Sequence, residues 1–185
     1  MDTKQLFARP FISLSGDVNA TMLSQLDSEL KSIDAMSSTD PLRVLVTSGG
    51  GSIWFGEAIA ERLKLINRVR QVQVVAMTRI ASAAVLFPLA VPRAQRFVSP
   101  QGLVTLHQFR FESSFPKQLA VGTESVVREA VHDQRDFMNS YRRHTTQLAR
   151  EMNMKYDDLR RRMDHGWYVS AREAVRRGLF HSIIT

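Results

Sequence analysis

Short apolar runs alternate with amphipathic stretches along the chain up to residue 107. The runs are rich in β-branched residues and predict buried strands, whereas the stretches repeat their apolar positions at helical spacing and predict helices. The predicted strands are Phe11–Ser15, Leu42–Thr47, Val72–Met77, Arg96–Val98 and Leu103–His107. The predicted helices are Thr21–Met36, Trp54–Asn67 and a core helix within Ile80–Val91. This βαβ order predicts an α/β fold with a mainly parallel sheet flanked by helices.

The last third of the chain carries a much longer amphipathic segment. Thr123–Met152 predicts one helix, far longer than the average of about 11 to 12 residues. The helix either packs on its own sheet, or its apolar stripe serves self-association, which we expect. With the irregular sequence at Arg110–Gln118 it makes up a handle region over about 110–152.

The end of the chain has clear helix signals. Ser170 and Glu173 form a capping box, Ala171–Arg177 predicts a short helix, and Gly178 stops it. These signals place Asp164–Trp167 on the loop that leads into this helix.

Ser82 is the strongest chemical candidate, because it lies among small residues directly after a predicted strand. A serine exposed at a strand-to-helix junction needs little bulk around it, and Ala81, Ala83 and Ala84 supply small neighbours. The first N–H groups of the next helix can stabilise an oxyanion beside the hydroxyl. A serine that caps a buried helix is the simpler alternative, and it is favoured for this residue taken alone.

Two other motifs favour a nucleophile over a helix cap at Ser82. Leu42–Thr47 runs into Ser48-Gly49-Gly50-Gly51, which predicts a loop whose backbone can approach a ligand closely. His107 ends another predicted strand and can act as the base for a nucleophile. The other four histidines have no metal-ligand spacing and are interpreted as surface residues: His132, His144, His165 and His181.

These residues, in this order, resemble the ClpP family, the serine peptidases that form the proteolytic subunit of Clp protease. The resemblance extends from about residue 11 to the end. The matching positions are Ser48 with Gly50-Gly51, Ala81-Ser82, His107-Gln108, Tyr168 to Ala174 and Gly178-Leu179.

The resemblance implies that Ser82 is the nucleophile, that His107 is the general base, and that the N–H groups of Gly51 and Ala83 form the oxyanion hole. It implies a ClpP/crotonase-like spiral of βαβ units with a long handle helix, as a single domain over 1–185. Homo-oligomeric rings and a peptide or unfolded-protein substrate are implied as well, with no cofactor and no metal. Because only a short segment, 1–10, precedes the first strand, where the family has axial loops for an AAA+ unfoldase, we expect no dependence on such an unfoldase.

The chain departs from the family at the catalytic aspartate. The family has this residue five positions before the alanine that matches Ala171, and here that position is Gly166. Asp164 is close by but aligns with a different acidic position, one that the resemblance associates with contacts between rings. Either Asp164 reaches His107 through a local shift, or another carboxylate substitutes, or the site is a weak dyad or inactive.

Composition restricts the function classes without choosing one. A length of 185 residues with 44% apolar content suits one domain with a real core, and the absence of cysteine excludes disulfides and a thiol nucleophile. The start of the chain shows no basic-then-apolar leader and no stretch is long enough to span a bilayer, so we expect a cytoplasmic protein without membrane contact. The net charge is +7. Its arginine clusters alternate with acidic residues and show no aromatic stacking pattern in the sequence, which favours ion pairs or a solvated face over nucleic-acid binding.

Three functions are therefore considered. The first is a ClpP-like serine endopeptidase that works through an acyl-enzyme on Ser82 without requiring an ATPase. The second is a crotonase-type acyl-CoA enzyme with a similar backbone oxyanion hole. The third is a catalytically weak or silent ring protein. Ser82 with His107 favours the first, whereas Gly166 keeps the third open.

Overall fold

The computed structural model describes residues 3–7, 10–34, 40–108 and 124–185. The strands are β1 Phe11–Val18, β2 Leu42–Gly51, β3 Val72–Ala81, β4 Arg96–Val98, β5 Leu103–Leu106, β6 Trp167–Ser170 and β7 Ser182–Ile183. The helices are α1 Thr3–Leu6, α2 Ala20–Asp34, α3 Ile53–Val69, α4 Leu86–Leu89, α5 Glu124–Glu151, α6 Tyr156–Asp164 and α7 Ala171–Arg176. Two 3₁₀ helices cover Ser82–Val85 and Arg93–Gln95. The predicted segment 1–10 is described only in part, and the predicted loop at 110–118 lies outside the described residues.

The sheet is mainly parallel, as the βαβ pattern predicts, and it divides at β3. Its strand order is β1-β2-β3-β4-β7, and all of these pairs are parallel. The last residues of β3 leave β4 and pair with β5 instead, in parallel, and β5 pairs with β6 in antiparallel orientation. The carboxyl ends of β3 and β5 therefore lie side by side, and the next residues after them include Ser82 and His107.

Apolar side chains fill both faces of the central strands, which is typical of a parallel sheet covered on both sides. Val44 and Val46 belong to the main core, whereas Leu45 between them belongs to a smaller cluster on the opposite face. That cluster contains Leu6 from α1 and Ile184 from the end of the chain. The continuous apolar runs of the sequence are explained by this two-sided burial.

The long helix α5 packs on the sheet through its C-terminal half. Phe137 and Leu148 are buried in the main core, and Glu151 pairs with the buried Arg96 of β4 at 2.8 Å. Val131 and Met138 on the same helix are exposed. The predicted helix thus serves partly as an ordinary core helix and keeps an apolar surface outside it.

Several boundaries differ from the sequence predictions, and three of these differences involve residues near the predicted site. β2 continues to Gly51, because pairing with β1 extends through Val18 and Gly51, so the glycines belong to a strand rather than a loop. β3 continues to Ala81 because its last residues pair with β5. Asp164–Trp167 is not the predicted loop, since Asp164 ends α6 and Trp167 begins β6.

The basic clusters near the C-terminus pair with acidic groups of the same chain. Arg161 contacts Asp158, and Arg176 and Arg177 both contact Glu173. Ser170 caps α7 by accepting from the Glu173 N–H, as the capping box predicts. The Glu173 carboxylate, however, is engaged by the two arginines.

Candidate active site

Ser82 is the first residue after β3 and begins the 3₁₀ helix, and the chain makes a strained turn there. Its φ is 53°, a left-handed backbone that is uncommon for any residue other than glycine. Such conformations cost of order 1–3 kcal/mol and cluster at active sites. A serine on a sharp strand-to-helix turn exposes its Oγ at the end of the sheet, which is the geometry of a nucleophile elbow.

Gly50 of β2 makes room for this turn. A Cβ at Gly50 would lie 2.5 Å from the Ser82 Cβ and 2.8 Å from the Ala81 carbonyl oxygen, closer than atoms can approach. Ser48 holds this part of β2 in place, since its Oγ donates to the Gly16 carbonyl at 2.6 Å and accepts from the Gly50 N–H at 3.1 Å. The sequence predicted that these glycines let the backbone approach a ligand. In the structure, Gly50 packs closely against Ser82.

The two predicted oxyanion-hole residues belong to different elements, Gly51 to β2 and Ala83 to the 3₁₀ helix after β3. Gly51 has φ 148°, and a Cβ there would lie 2.4 Å from the Val18 carbonyl oxygen. Ala83 is buried and is the second residue of the 3₁₀ helix, so its N–H has no acceptor within that helix. Their role as an oxyanion hole stays a prediction.

His107 follows β5 directly, and a backbone carbonyl fixes its ring. Its Nδ1 lies 2.7 Å from the Gln108 carbonyl oxygen. Because a carbonyl can only accept, this contact favours the tautomer with hydrogen on Nδ1 and leaves the Nε2 lone pair available. That is the tautomer that a general base for Ser82 needs.

β5 and β6 pair as far as Leu106 opposite Trp167, and His107 and Gly166 are the next residues beyond that last pair. Gly166 has φ 71°, and a Cβ there would meet no atom within 4 Å. Asp164 instead contacts the Gln108 side-chain amide, and within the described residues it has no hydrogen bond to His107.

Ser82 and His107 line one narrow cavity of about 20 Å³, although no hydrogen bond joins them in the described part of the chain. The other walls are mostly apolar: Val85, Leu86, Leu89, Leu106, Leu148 and Met163, with His144 and Thr145 from α5. Helix α5 therefore covers the space beside the serine.

The interpretation of His144 as a surface residue is wrong. Its side chain is 13% exposed and lines the same cavity as Ser82. Its Nε2 lies 2.5 Å from Glu57 Oε1 of α3. The sequence spacing could have indicated that His144 is buried. His144 is three residues after Tyr141 and four before Leu148, and both of these lie on the buried side of α5. The interpretation holds for the other three histidines, His132, His165 and His181, which are exposed.

Glu57 is an acceptor shared by three side chains of α5. Arg143 donates to its Oε1 at 2.5 Å, and Ser140 and His144 contact the same oxygen. Burial alone raises the pKa of Glu57, but the hydrogen bonds from Ser140, His144 and Arg143 outweigh it and lower that pKa. The pKa of His144 is lowered, chiefly by burial; the Glu57 carboxylate raises it, and the charges of Arg143 and Lys64 lower it further. The pair is therefore an ionised carboxylate and a neutral imidazole near pH 7.

Over the described ranges, no three His, Asp or Glu side chains converge as metal ligands do. None of the helices in that part of the chain combines the length and apolar character needed to cross a bilayer.

Comparison with known families settles the lineage. A family model described as Clp protease matches residues 1–185. The chain belongs to the Clp protease family. The ClpP resemblance inferred from the sequence motifs is thereby confirmed.

Individual members of the Clp protease family match across nearly the whole chain. The ATP-dependent Clp protease proteolytic subunit 3 of Rhizobium johnstonii is 26% identical over 180 residues, which cover 97% of this chain and 86% of that protein. The subunit of the same name from Rhizobium etli gives the same figures. The structure of a ClpP1 point mutant from Listeria monocytogenes superposes with a TM-score of 0.74 at 22% identity, covering 98% of this chain and 95% of the other. The ClpP-like α/β fold is thus confirmed.

Proposed function

We propose that this Clp protease family member is a serine endopeptidase that cleaves peptides or unfolded chains through an acyl-enzyme on Ser82. The observation that carries the proposal is the left-handed backbone of Ser82, formed against Gly50 and facing the cavity that His107 also lines. Local strain of this kind is kept where function requires it. A plain helix cap does not need it, since a cap residue has extended backbone.

The first chemical step is attack on the scissile carbonyl. Ser82 Oγ forms a bond to the carbonyl carbon while its proton passes to His107 Nε2. The carbonyl oxygen becomes an oxyanion, which the N–H groups of Gly51 and Ala83 would stabilise. A bound substrate must draw Ser82 and His107 into hydrogen-bond contact, as catalytic hydrogen bonds often tighten only on binding.

The second step releases the amine and the third restores the enzyme. The C–N bond breaks, and His107 gives its proton to the leaving nitrogen. A water molecule then attacks the acyl-enzyme while His107 takes a proton from it, and Ser82 leaves with that proton as the acid product departs. No metal or cofactor takes part in this scheme.

The Gln108 carbonyl takes over part of the role of the missing carboxylate. It selects the useful tautomer of His107, but it carries no full charge to stabilise the imidazolium that forms during attack. Acylation is therefore expected to be slow compared with a complete triad.

Assembly into a homo-oligomeric ring is part of the proposal. The exposed Val131 and Met138 on α5, and Trp54 on α3, are apolar surfaces that an assembly would cover. Light scattering at micromolar concentration is expected to give an oligomer, and a monomer would contradict this part of the proposal.

A catalytically silent ring protein is the second candidate. One observation favours it: Gly166 occupies the family's aspartate position, and a Cβ there would meet no atom within 4 Å. In this case the strained turn at Ser82 would be retained from active relatives, and Ser82 would not act as a nucleophile.

A fluorophosphonate probe separates the two candidates. We expect the wild-type protein to be labelled, the adduct to map to Ser82 by mass spectrometry, and Ser82→Ala to remain unlabelled. Cleavage of fluorogenic peptides should disappear in the same variant. Absence of labelling in the assembled wild-type protein would favour the silent ring.

A further inference from the structure

We propose that a basic cavity, lined by α6 and the start of β6, binds a small anion that carries two or more phosphate groups. The cavity has a volume of about 690 Å³, a size typical of small-molecule sites. It shares no lining residue with the cavity beside Ser82. The proposed site is therefore separate from the proposed peptidase function and does not depend on it.

Positive charge dominates the walls of the basic cavity. Its lysine, arginine and carboxylate lining residues are Lys155, Arg161, Arg162, Arg177 and Asp158. Arg161 is paired with Asp158, and Arg177 is paired with Glu173. In the described part of the chain, no carboxylate pairs with Lys155 or Arg162. The cavity thus offers cationic groups that an anion can use without breaking an ion pair.

Trp167 holds two of these cations close together. The guanidinium carbons of Arg162 and Arg177 lie 4.8 and 4.9 Å from the centroid of its ring. The two like charges are therefore within about 10 Å of each other, the Debye length at 0.1 M salt, so they repel. An anion that contacts both arginines relieves this repulsion. Arginine suits such a contact, because its planar group donates two parallel hydrogen bonds to phosphate oxygens.

The spread of the cations indicates a ligand with more than one anionic group. Lys155 precedes α6 and Arg162 is in its last turn, so their backbones are about 10 Å apart along the helix axis. A single carboxylate is too small to serve both ends of this helix, whereas a chain of phosphates distributes its charge over such a distance. Gly166 adds space, since a Cβ there would meet no atom within 4 Å.

Equilibrium dialysis of radiolabelled pyrophosphate at constant ionic strength tests the proposal on the assembled full-length protein. We expect saturable binding with a Kd below about 1 mM. Arg162→Gln should raise this Kd roughly three- to tenfold, the effect of one charge-assisted contact in an open cavity. Lys155→Gln provides a second variant at the other end of α6. The matched control is Arg142→Gln, which removes the same charge from an exposed residue in a different basic cavity, and it should change the Kd less than about twofold.

Competition and fluorescence identify the ligand class and the place of binding. Tripolyphosphate that displaces pyrophosphate better than ADP does would indicate a free oligophosphate, and the reverse would indicate a nucleotide. The sequence has two tryptophans, Trp54 and Trp167, so Trp54→Phe leaves Trp167 as the only one. We expect pyrophosphate to change the Trp167 emission with the midpoint found by dialysis.

Three results would overturn the proposal. The first is the absence of saturable pyrophosphate binding to the wild-type protein. The second is a Kd that folded Arg162→Gln and Lys155→Gln proteins raise no more than Arg142→Gln does, because the anion is then held by the general positive charge. The third is equal displacement by citrate, which would remove the preference for phosphate. None of these results depends on whether Ser82 is active.

Discussion

Two histidines line the cavity beside Ser82, and their surroundings are reversed from what a catalytic triad leads one to expect. His107 follows a strand, with a backbone carbonyl on Nδ1 and, among the described residues, no carboxylate partner. His144 is on a covering helix with the Glu57 carboxylate on Nε2. The histidine nearest a charged acceptor is thus not the one in the family's base position.

The difference shows that a carboxylate–histidine pair does not by itself mark the base. The contact through Nε2 leaves the Nδ1 of His144 buried in the protein, whereas the contact through Nδ1 leaves the Nε2 of His107 free. Which ring nitrogen is engaged therefore matters more for chemistry than which acceptor engages it. The charge beside His144 serves mainly to join α3 to α5.

The most severe test of this comparison removes one imidazole at a time. His107→Ala should reduce the fluorophosphonate labelling rate by roughly a thousandfold, since general-base catalysis contributes about 10²–10⁴-fold. The loss in His144→Ala should be at least about a hundred times smaller, because His144 is not placed to take the Ser82 proton. Labelling rates followed by intact-protein mass spectrometry measure both. Equal losses would mean that the two histidines act as one unit.

Removing the carboxylate of the second pair tests whether it holds the helices together. Glu57→Ala leaves the Ser140 hydroxyl and the His144 Nε2 without their acceptor in a poorly solvated place. We expect a loss of about 2 kcal/mol in unfolding free energy, roughly thirtyfold in the folding equilibrium. Urea denaturation measures it. The control Glu61→Ala, on the same helix with an exposed pair to Lys64, should cost less than about 0.5 kcal/mol, and an equal cost would contradict the structural role of Glu57.

Giving His107 the carboxylate that it lacks is the converse experiment. Gly166→Asp sets a carboxyl group at the family's aspartate position, in open space, and we expect labelling and peptide turnover to rise about tenfold, since the orienting carboxylate is a large contributor in complete triads. The matched control is Gly166→Asn, which accepts the left-handed backbone equally well without a charge. Equal rates for the two variants would show that charge at this position does not reach His107.

The smallest effect is expected at the nearest natural carboxylate. Asp164→Asn should change the labelling rate by less than about threefold, because an amide can still contact the Gln108 side chain and His107 loses no partner. A loss of a hundredfold or more in the assembled protein would identify Asp164 as the third catalytic group after all.

The elements that depend on local pattern could be predicted from the sequence. Buried strands and the long helix follow from runs and periodicity, and the small residues around Ser82 indicated a turn that exposes a side chain. The strand β6 was missed, because four residues carry too little pattern and its pairing with β5 is fixed by contacts far along the chain.

Only the site residues that belong to motifs at the ends of predicted strands could be predicted from the sequence. Ser82 and His107 each end or follow a strand, so parallel pairing explains why they lie side by side. The contact between Glu57 and His144 joins residues 87 positions apart on two helices, and no local signal reports such a pair. Helical spacing alone indicated that His144 faces inward, but not what it meets there.

The packing of Gly50 against Ser82 has a consequence for when this chain becomes reactive. An unfolded chain has little reason to hold a serine in a left-handed conformation, and here the conformation is kept by a glycine from a different strand, already synthesised. Under the proposed function, the Ser82 hydroxyl is therefore positioned as a nucleophile only once β2 and β3 have paired. A nascent or partly unfolded copy would carry the same serine without that position.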